Sequence, residues 1–169
     1  MSDSRLTVIV VSRHRPAALM RCIAALRQQI GVQIELVVVA DPSALAQVRA
    51  ADLKAAEFDK ANIAAARNIG LDLSASEVVA FIDDDAVAEP TWARRLLAAF
   101  AWPDVVAATG FVRGRNGISY QWRASEIDAE GQDHPLDIPD DQGIHFPCPA
   151  PGRAIKTPGT NCAFRTRLL

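Results

Sequence analysis

Three short apolar runs, each followed at once by a polar loop, leave few folds open to this chain. They are rich in β-branched residues and cover Leu6–Val11, Ile34–Val39 and Val78–Ile82. Continuous apolar runs of this length predict strands buried on both faces, as in parallel sheets. Helix-favouring segments lie between and after these runs, at Ala17–Gln29, Ala44–Ala56, Ala61–Leu73 and Thr91–Phe100. This alternation predicts a doubly wound, mostly parallel α/β sheet flanked by helices.

The polar loops that follow the three runs predict where a ligand binds. These loops are Ser12–Pro16, Ala40–Ser43 and the aspartates Asp83–Asp85. In doubly wound sheets, ligands bind beyond the carboxyl ends of the strands, so we expect the three loops to meet there. Two further strands are predicted, at Val105–Val112 and within Gly159–Arg165.

Composition excludes several classes of function. The chain has 169 residues, half of them apolar, which predicts one domain over residues 1–169. With 18 basic and 20 acidic residues, its charge indicates no nucleic-acid partner. Three widely spaced cysteines, Cys22, Cys148 and Cys162, predict neither a disulfide framework nor a zinc site and suit a reducing cytoplasm. No apolar stretch is long enough for a membrane segment, so we expect a cytoplasmic protein.

The region after Gly114 has a different character. Residues 116–158 are rich in Pro, Asp, Gly and Gln and show no sustained period. The sequence therefore predicts a regular core over 5–114, an irregular loop or lid over 115–158, and a short final segment over 159–169. The alternative is a fixed extension of the sheet, with Ile118–Trp122 as an edge strand and Ile144–Phe146 packed against it. The apolar end at Leu169 predicts a truncated chain.

Three consecutive aspartates follow the third apolar run. If the strand geometry continues, alternation places Asp83 and Asp85 on one side and Asp84 on the other. Two converging carboxylates bind hard cations such as Mn²⁺ or Mg²⁺, which also bridge phosphate oxygens. An aspartate could instead cap the next helix. The motif also loosely fits the nucleophile loop of haloacid-dehalogenase-like phosphatases, but in those enzymes it normally follows the first strand.

Four ordered motifs together resemble family 2 glycosyltransferases of the GT-A fold. The first apolar run continues into Ser12-Arg13-His14-Arg15-Pro16, similar to the family's Thr/Ser-x-x-Arg-Pro loop. The second motif keeps only Asp41 and Ser43 of the family's Asp-Asp-Gly-Ser. An Ala-Arg-Asn-x-Gly segment at Ala66–Gly70 precedes the aspartates, and Gly-x-Asn followed by small residues and Arg occurs at Gly159–Arg165. Four motifs in order are far more specific than any one of them.

The resemblance implies that residues 5–114 form a nucleotide- and metal-binding core and that residues 159–169 begin an acceptor-side segment. It implies that Ser12 and Arg15 line the nucleotide pocket, that Asp41 accepts a hydrogen bond from the base, and that Arg67 lies near the nucleotide. It places Asp83 on the ribose side and, with Asp85, at the Mn²⁺ or Mg²⁺ ion, and it places Thr160 and Asn161 on the acceptor or sugar side. The implied reaction is inverting transfer from a nucleotide-diphosphate sugar, with a UDP-sugar expected, to an unknown glycan, lipid-linked or protein acceptor.

Elementary chemistry supports the charged roles, because a diphosphate needs cations and Arg15 and Arg67 supply two. Arg67 could instead form an ion pair with Asp41 or Asp83. We assign no catalytic base: His14 has no second partner in the sequence, and the acids of the irregular segment do not match the family's base motif (Glu126, Asp128, Asp140 and Asp141). Two hypotheses follow, a fragment of a longer glycosyltransferase or a nucleotide-sugar-binding module without independent transfer activity.

Overall fold

The computed structural model describes residues 5–48, 53–138 and 147–169. The strands in these residues are β1 (Arg5–Ser12), β2 (Gln33–Ala40), β3 (Leu53–Glu57), β4 (Val78–Asp83), β5 (Ala107–Thr109), β6 (Val112–Arg113), β7 (Tyr120–Trp122), β8 (Ser125–Ile127), β9 (Asp133–Pro135), β10 (Ala154–Ile155) and β11 (Asn161–Arg165). The helices are α1 (Pro16–Leu26), α2 (Pro42–Leu45), α3 (Ile63–Leu73) and α4 (Trp92–Ala99), and a 3₁₀ turn follows at Thr166–Leu168.

The central sheet has six strands in the order β3-β2-β1-β4-β11-β5. β3, β2, β1 and β4 are parallel, whereas β11 runs antiparallel to both β4 and β5. The predicted mostly parallel sheet is therefore confirmed. Its register pairs Ser12 with Ala40 and Val11 with Asp83. As a result, the loops after β1, β2 and β4 begin at the same edge of the sheet.

Helices cover both faces of this sheet. One face carries α1 and α4, whose buried residues pack against Leu6, Val8 and Val10. The other face carries Ile9, Val37, Val79 and Phe81 and is covered by α3 through Ala66. Side chains of β1 alternate between the two cores because successive residues of a strand point to opposite faces. This burial on both sides explains why the strand sequences are continuously apolar.

Two sequence predictions about secondary structure are wrong. The predicted helix Ala44–Ala56 is replaced by the short α2 and by β3, which pairs with Leu36–Ala40 of β2. Tertiary pairing at the sheet edge overrides the helix propensity of the alanines there. The predicted strand Val105–Val112 is two strands, β5 and β6, separated around Gly110. A Cβ at Gly110 would lie 3.0 Å from the Asn161 side-chain nitrogen, so this position fits a glycine.

The segment 115–158 contains more regular structure than its composition predicts. β7 pairs with β6, and β8 lies between β9 and β10 in a separate three-stranded sheet. Neither small sheet joins the six-stranded one, so the alternative that Ile118–Trp122 extends the central sheet as an edge strand is wrong: β7 pairs with β6 instead. Ile144–Phe146, Asp140 and Asp141 lie outside the described residues. No helix in the described parts of the chain is long and apolar enough to cross a membrane.

Candidate functional site

The β1–α1 loop brings Ser12 and Arg15 to the aspartates that follow β4. Pro16 occupies the first turn of α1, and the Arg15 side chain does not cap the helix. The Ser12 hydroxyl donates to Asp84 Oδ2 at 2.6 Å. The Arg15 guanidinium forms an ion pair with Asp84 through one terminal nitrogen and lies 3.1 Å from Asp85 Oδ2 through the other. Residues about 70 positions apart in sequence therefore form one charged cluster.

The three aspartates differ sharply in exposure. Asp84 is fully buried, whereas the side chains of Asp83 and Asp85 are 40% and 41% exposed. β4 ends at Asp83, and the amide of Ala86 bonds to the Asp83 carbonyl, so the next two aspartates lie in a turn. Strand alternation predicted that Asp84 points away from Asp83 and Asp85. The structure does distinguish Asp84, which is buried, but it does so through a turn, because β4 ends at Asp83. Burial raises the pKa of Asp84, although the Ser12 hydrogen bond and Arg15 oppose the shift.

Asp41 caps α2 and also holds the first loop. Its carboxylate accepts from the backbone amides of Ser43 and Ala44, from the Ser43 hydroxyl at 2.5 Å, and from the His14 amide at 2.7 Å. These donors, with the Ser43 hydroxyl foremost, hold the pKa of the buried Asp41 carboxyl well below its usual range. His14 adopts a left-handed backbone with φ of 57°. Such strain in a non-glycine residue persists only where its surroundings hold it, and here Asp41 does so.

The Ala66–Gly70 motif has a structural reading on α3. Ala66 and Gly70 face the sheet, and a Cβ at Gly70 would lie only 2.5 Å from Ile9 Cγ2. This close packing positions Arg67 over the Phe81 ring, with its guanidinium carbon 5.1 Å from the ring centroid. Arg67 donates to the Gly159 carbonyl at 2.8 Å and lies 4.0 Å from Asp83 Oδ1. The sequence analysis left open an ion pair between Arg67 and Asp83; in the structure these two groups are 4.0 Å apart, so the pair is weak.

Thr160 and Asn161 lie where the chain enters β11. Thr160 is half-buried in the turn before β11. Asn161 is buried; its Oδ1 accepts from the Trp92 indole at 2.9 Å, and its Nδ2 donates to the Phe111 carbonyl at 3.4 Å. Both ends of the Asn161 amide are thus used to tie α4, β11 and the β5–β6 connection together.

Asp83 and Asp85 are the candidates in this cluster to hold a divalent cation together with a ligand. Asp83 and Asp85 offer exposed carboxylate oxygens, which hard metal cations prefer. The Arg67 guanidinium lies 4.0 Å from Asp83. No group of three or more His, Cys, Asp or Glu side chains within the described ranges is arranged to hold a metal. Cations of the Mg²⁺ type are commonly held by one or two carboxylates plus phosphate oxygens of the substrate. Two carboxylates therefore suit an ion that arrives with a diphosphate.

Sequence reasoning missed Asp84 as part of the cluster. The only local signal was its place in a run of three acids, which predicted that it points away from Asp83 and Asp85. Its partners Ser12 and Arg15 come from the β1–α1 loop, and only the pairing of β1 with β4 brings them to it. The indole partner of Asn161 was missed for the same reason.

Comparison with known proteins gives one family and a set of solved structures. A sequence model of glycosyl transferase family 2 matches residues 7–156. The fold is similar to that of the mannosyltransferase PcManGT from Pyrobaculum calidifontis, solved with GDP-Man and Mn²⁺, with a TM-score of 0.54, 24% identity, and coverage of 63% of this chain and 35% of that one. No curated protein sequence matches this chain.

Two structures of S. aureus TarS (1–349) are also similar in fold. The complex with UDP-GlcNAc gives a TM-score of 0.60 at 18% identity and covers 73% of this chain and 40% of TarS. The structure without that ligand gives 0.56 at 17% identity and covers 97% of this chain and 48% of TarS. The chain thus spans less than half the length of each of these structures. Its mostly parallel sheet is that of GT-A glycosyltransferases, and the match across residues 7–156 shows that the chain belongs to glycosyl transferase family 2.

Proposed function

We propose that this domain transfers a sugar from a nucleotide-diphosphate donor to an acceptor hydroxyl with inversion, using Mn²⁺ or Mg²⁺ at Asp83 and Asp85. The observation that carries the proposal is the meeting of the β1, β2 and β4 loops at one sheet edge, with Ser12 and Arg15 bonded to the aspartate run. The similar folds of PcManGT, solved with GDP-Man and Mn²⁺, and TarS, solved with UDP-GlcNAc, support this donor class. The family match also decides against the phosphatase alternative.

The net charge of the aspartate–arginine cluster gives a physical reason for the proposed cation. Three carboxylates face two guanidiniums, those of Arg15 and Arg67, so the cluster keeps one net negative charge. A diphosphate would be repelled by that charge, because like charges held close together disfavour each other. One divalent cation reverses the sign of the cluster. The proposal therefore requires cation and diphosphate to bind together.

The reaction exchanges one C–O bond for another at the anomeric carbon. The acceptor oxygen forms a bond to that carbon while the bond to the diphosphate oxygen breaks from the opposite face, and the hydroxyl proton passes to a base. Arg15 and Arg67 are proposed to donate hydrogen bonds to phosphate oxygens, which gain negative charge as the bond breaks. The cation, when bound, stabilises the same developing charge. Thr160, at the turn next to Arg67, is proposed to face the sugar or acceptor.

Thermal shift with nucleoside diphosphates tests the donor proposal. UDP, GDP, dTDP and CDP, each with and without Mn²⁺, should raise the melting temperature only when the cation is present, because binding to the folded state stabilises it. We expect the largest shift with UDP. A shift that survives a chelator would show that the cation assignment is wrong.

Substitution of Asp85 tests the cation site directly. Asp85→Asn should remove the Mn²⁺ dependence and weaken UDP binding at least about tenfold, because a ligand to the cation is lost. Asp104→Asn is the matched control, because it also removes one exposed carboxylate. Asp104 lies near the start of β4, where Arg165 pairs with Val78 and bonds to the Val105 carbonyl. Equal effects of the two substitutions would contradict the assignment. UDP binding without release of sugar from a UDP-sugar would favour the binding-module alternative.

A further inference from the structure

Asp84 is a fully buried carboxylate whose partners both come from the β1–α1 loop. Oδ2 accepts the Ser12 hydroxyl at 2.6 Å, and Oδ1 faces the Arg15 guanidinium in an ion pair that lacks directed hydrogen-bond geometry. A charge is costly to bury unless it is paired. Asp84 and Arg15 are therefore tied to one another, and the position of the guanidinium depends on this buried anchor.

Arg15 divides its guanidinium between two aspartates of unequal exposure. One terminal nitrogen meets the buried Asp84, and the other lies 3.1 Å from the exposed Asp85. The Arg15 side chain remains 54% exposed. A guanidinium carries five donors in a rigid fork, so it can keep one partner while its other donors change theirs. In this structure Arg15 occupies one oxygen of the carboxylate that the proposed cation needs.

We propose that Asp84 is a positioning residue and not a ligand of the cation: it keeps Arg15 at the diphosphate site when Asp85 exchanges the guanidinium for the metal. The inference rests on the proposed function, since it requires a diphosphate and a cation at this sheet edge. Freed from Asp85, the outer half of Arg15 donates to the phosphate oxygens. The middle aspartate thus acts on the donor through Arg15.

Charge and positioning predict opposite effects for Asp84→Asn, which makes the proposal testable. Removing one negative charge makes the cluster less repulsive to a diphosphate, so electrostatics alone predicts tighter nucleotide binding. Loss of the ion pair that fixes Arg15 predicts weaker binding. A lost cation ligand would instead weaken the binding of Mn²⁺ itself. The asparagine has nearly the same shape and can still bond to Ser12, which limits damage to the fold.

The experiment measures two affinities in the same set of proteins. Mn²⁺ affinity is taken from the Mn²⁺ concentration that gives half-maximal binding of a fixed amount of nucleotide, and binding of the best of UDP, GDP, dTDP and CDP is followed calorimetrically at saturating Mn²⁺. The set is the unmutated protein, Asp84→Asn, Arg15→Gln, the double variant, Asp85→Asn and the control Asp104→Asn. Circular dichroism and melting temperature report the fold of each variant.

We expect Asp84→Asn to leave Mn²⁺ affinity within about twofold while weakening the nucleotide about tenfold, the size of a charge-assisted hydrogen bond. In the Arg15→Gln background the same substitution should cost little, because Asp84 acts through Arg15. A general structural defect would instead lower both affinities and would persist in that background.

Three outcomes overturn the inference, and they differ from failure of the proposed function. Nucleotide binding as tight as in the unmutated protein, or loss of Mn²⁺ binding as in Asp85→Asn, removes the positioning role alone. Additive losses in the double variant do the same. If the unmutated protein binds none of the four diphosphates with Mn²⁺, the proposed function fails and this inference fails with it.

Discussion

Asp41 links the stability of the domain to pH. Its carboxylate accepts four hydrogen bonds and has a pKa below its usual range. A carboxyl group with a lowered pKa in the folded state stabilises the fold above its unfolded pKa, and this contribution is lost as pH falls through the folded value. Asp41→Asn presents an NH₂ group to one of these donors, so it should lower the melting temperature near neutral pH by roughly 2–8 °C.

The deficit of Asp41→Asn should shrink as pH falls below about 4, where the unmutated carboxyl begins to lose its own contribution. Thermal unfolding from neutral pH to about pH 3 measures this, and a deficit that stays constant would contradict it. The contact with the nucleotide base that the resemblance implies gives a second readout: the ranking of UDP, GDP, dTDP and CDP should flatten in the variant. An unchanged ranking would leave Asp41 with its structural role only.

The close packing of α3 on β1 predicts how substitution of Gly70 changes stability. Gly70→Ala improves helix propensity by about 1 kcal/mol but forces a methyl group against Ile9, where overpacking costs about 1–3 kcal/mol. We expect net destabilisation in urea unfolding. In an Ile9→Ala background, which provides room, the same substitution should become neutral or stabilising. Asn68→Ala on the exposed side of α3 is the control and should change little.

The small sheets of segment 115–158 lead to a prediction about a lid. Arg123 stacks on Phe111 and donates to the Ile138 carbonyl, and Arg153 pairs with Glu126, so parts of the segment have defined contacts. We still expect the segment to close over the donor, because a closed lid excludes water that would hydrolyse the donor. Trypsin should cleave within 115–158 in the free protein and be suppressed by UDP plus Mn²⁺. Equal resistance with and without the ligands would show a fixed segment.

The reactivity of the three cysteines tests whether both faces of the central sheet are packed as the structure shows. Cys22 is on the buried face of α1, Cys162 is on β11 in the core that α3 covers, and Cys148 is exposed. Burial raises the pKa of Cys22 to about 12 and that of Cys162 to about 11. Because the thiolate is the reactive form, only Cys148 should react quickly with a thiol reagent in the native state at mildly alkaline pH.

A simple titration checks this expectation. One thiol should react in the native protein, three in guanidinium chloride, and none quickly in native Cys148→Ser. Fast reaction of Cys22 alone would mean that the α1 layer opens independently of the α3 layer. Fast reaction of both buried thiols would contradict the two-layer packing.

Elements with local signals could be predicted from the amino-acid sequence. The apolar runs of β1, β2 and β4 could be read directly, because strands buried on both faces have no polar positions. Pro16 and the polar loops marked where the strands stop, and the order of these loops placed Ser12, Arg15, Asp41 and the aspartate run at one sheet edge. The four ordered motifs carried the family assignment for the same reason, since each is a short segment with its own recognisable residues.

The contacts between distant side chains could not be predicted, because they depend on how the whole domain folds. β3 exists because β2 offers a pairing edge to a segment whose alanines favour helix. Asp84 is buried, and Asp85 is not, because the pairing of β4 with β1 sets the middle aspartate against Ser12 and Arg15 from about 70 residues away. Asn161 likewise finds Trp92 only when β11 lies beside β4. Period and composition describe neighbours along the chain, whereas these contacts depend on strand order and register, which follow from packing of the whole domain.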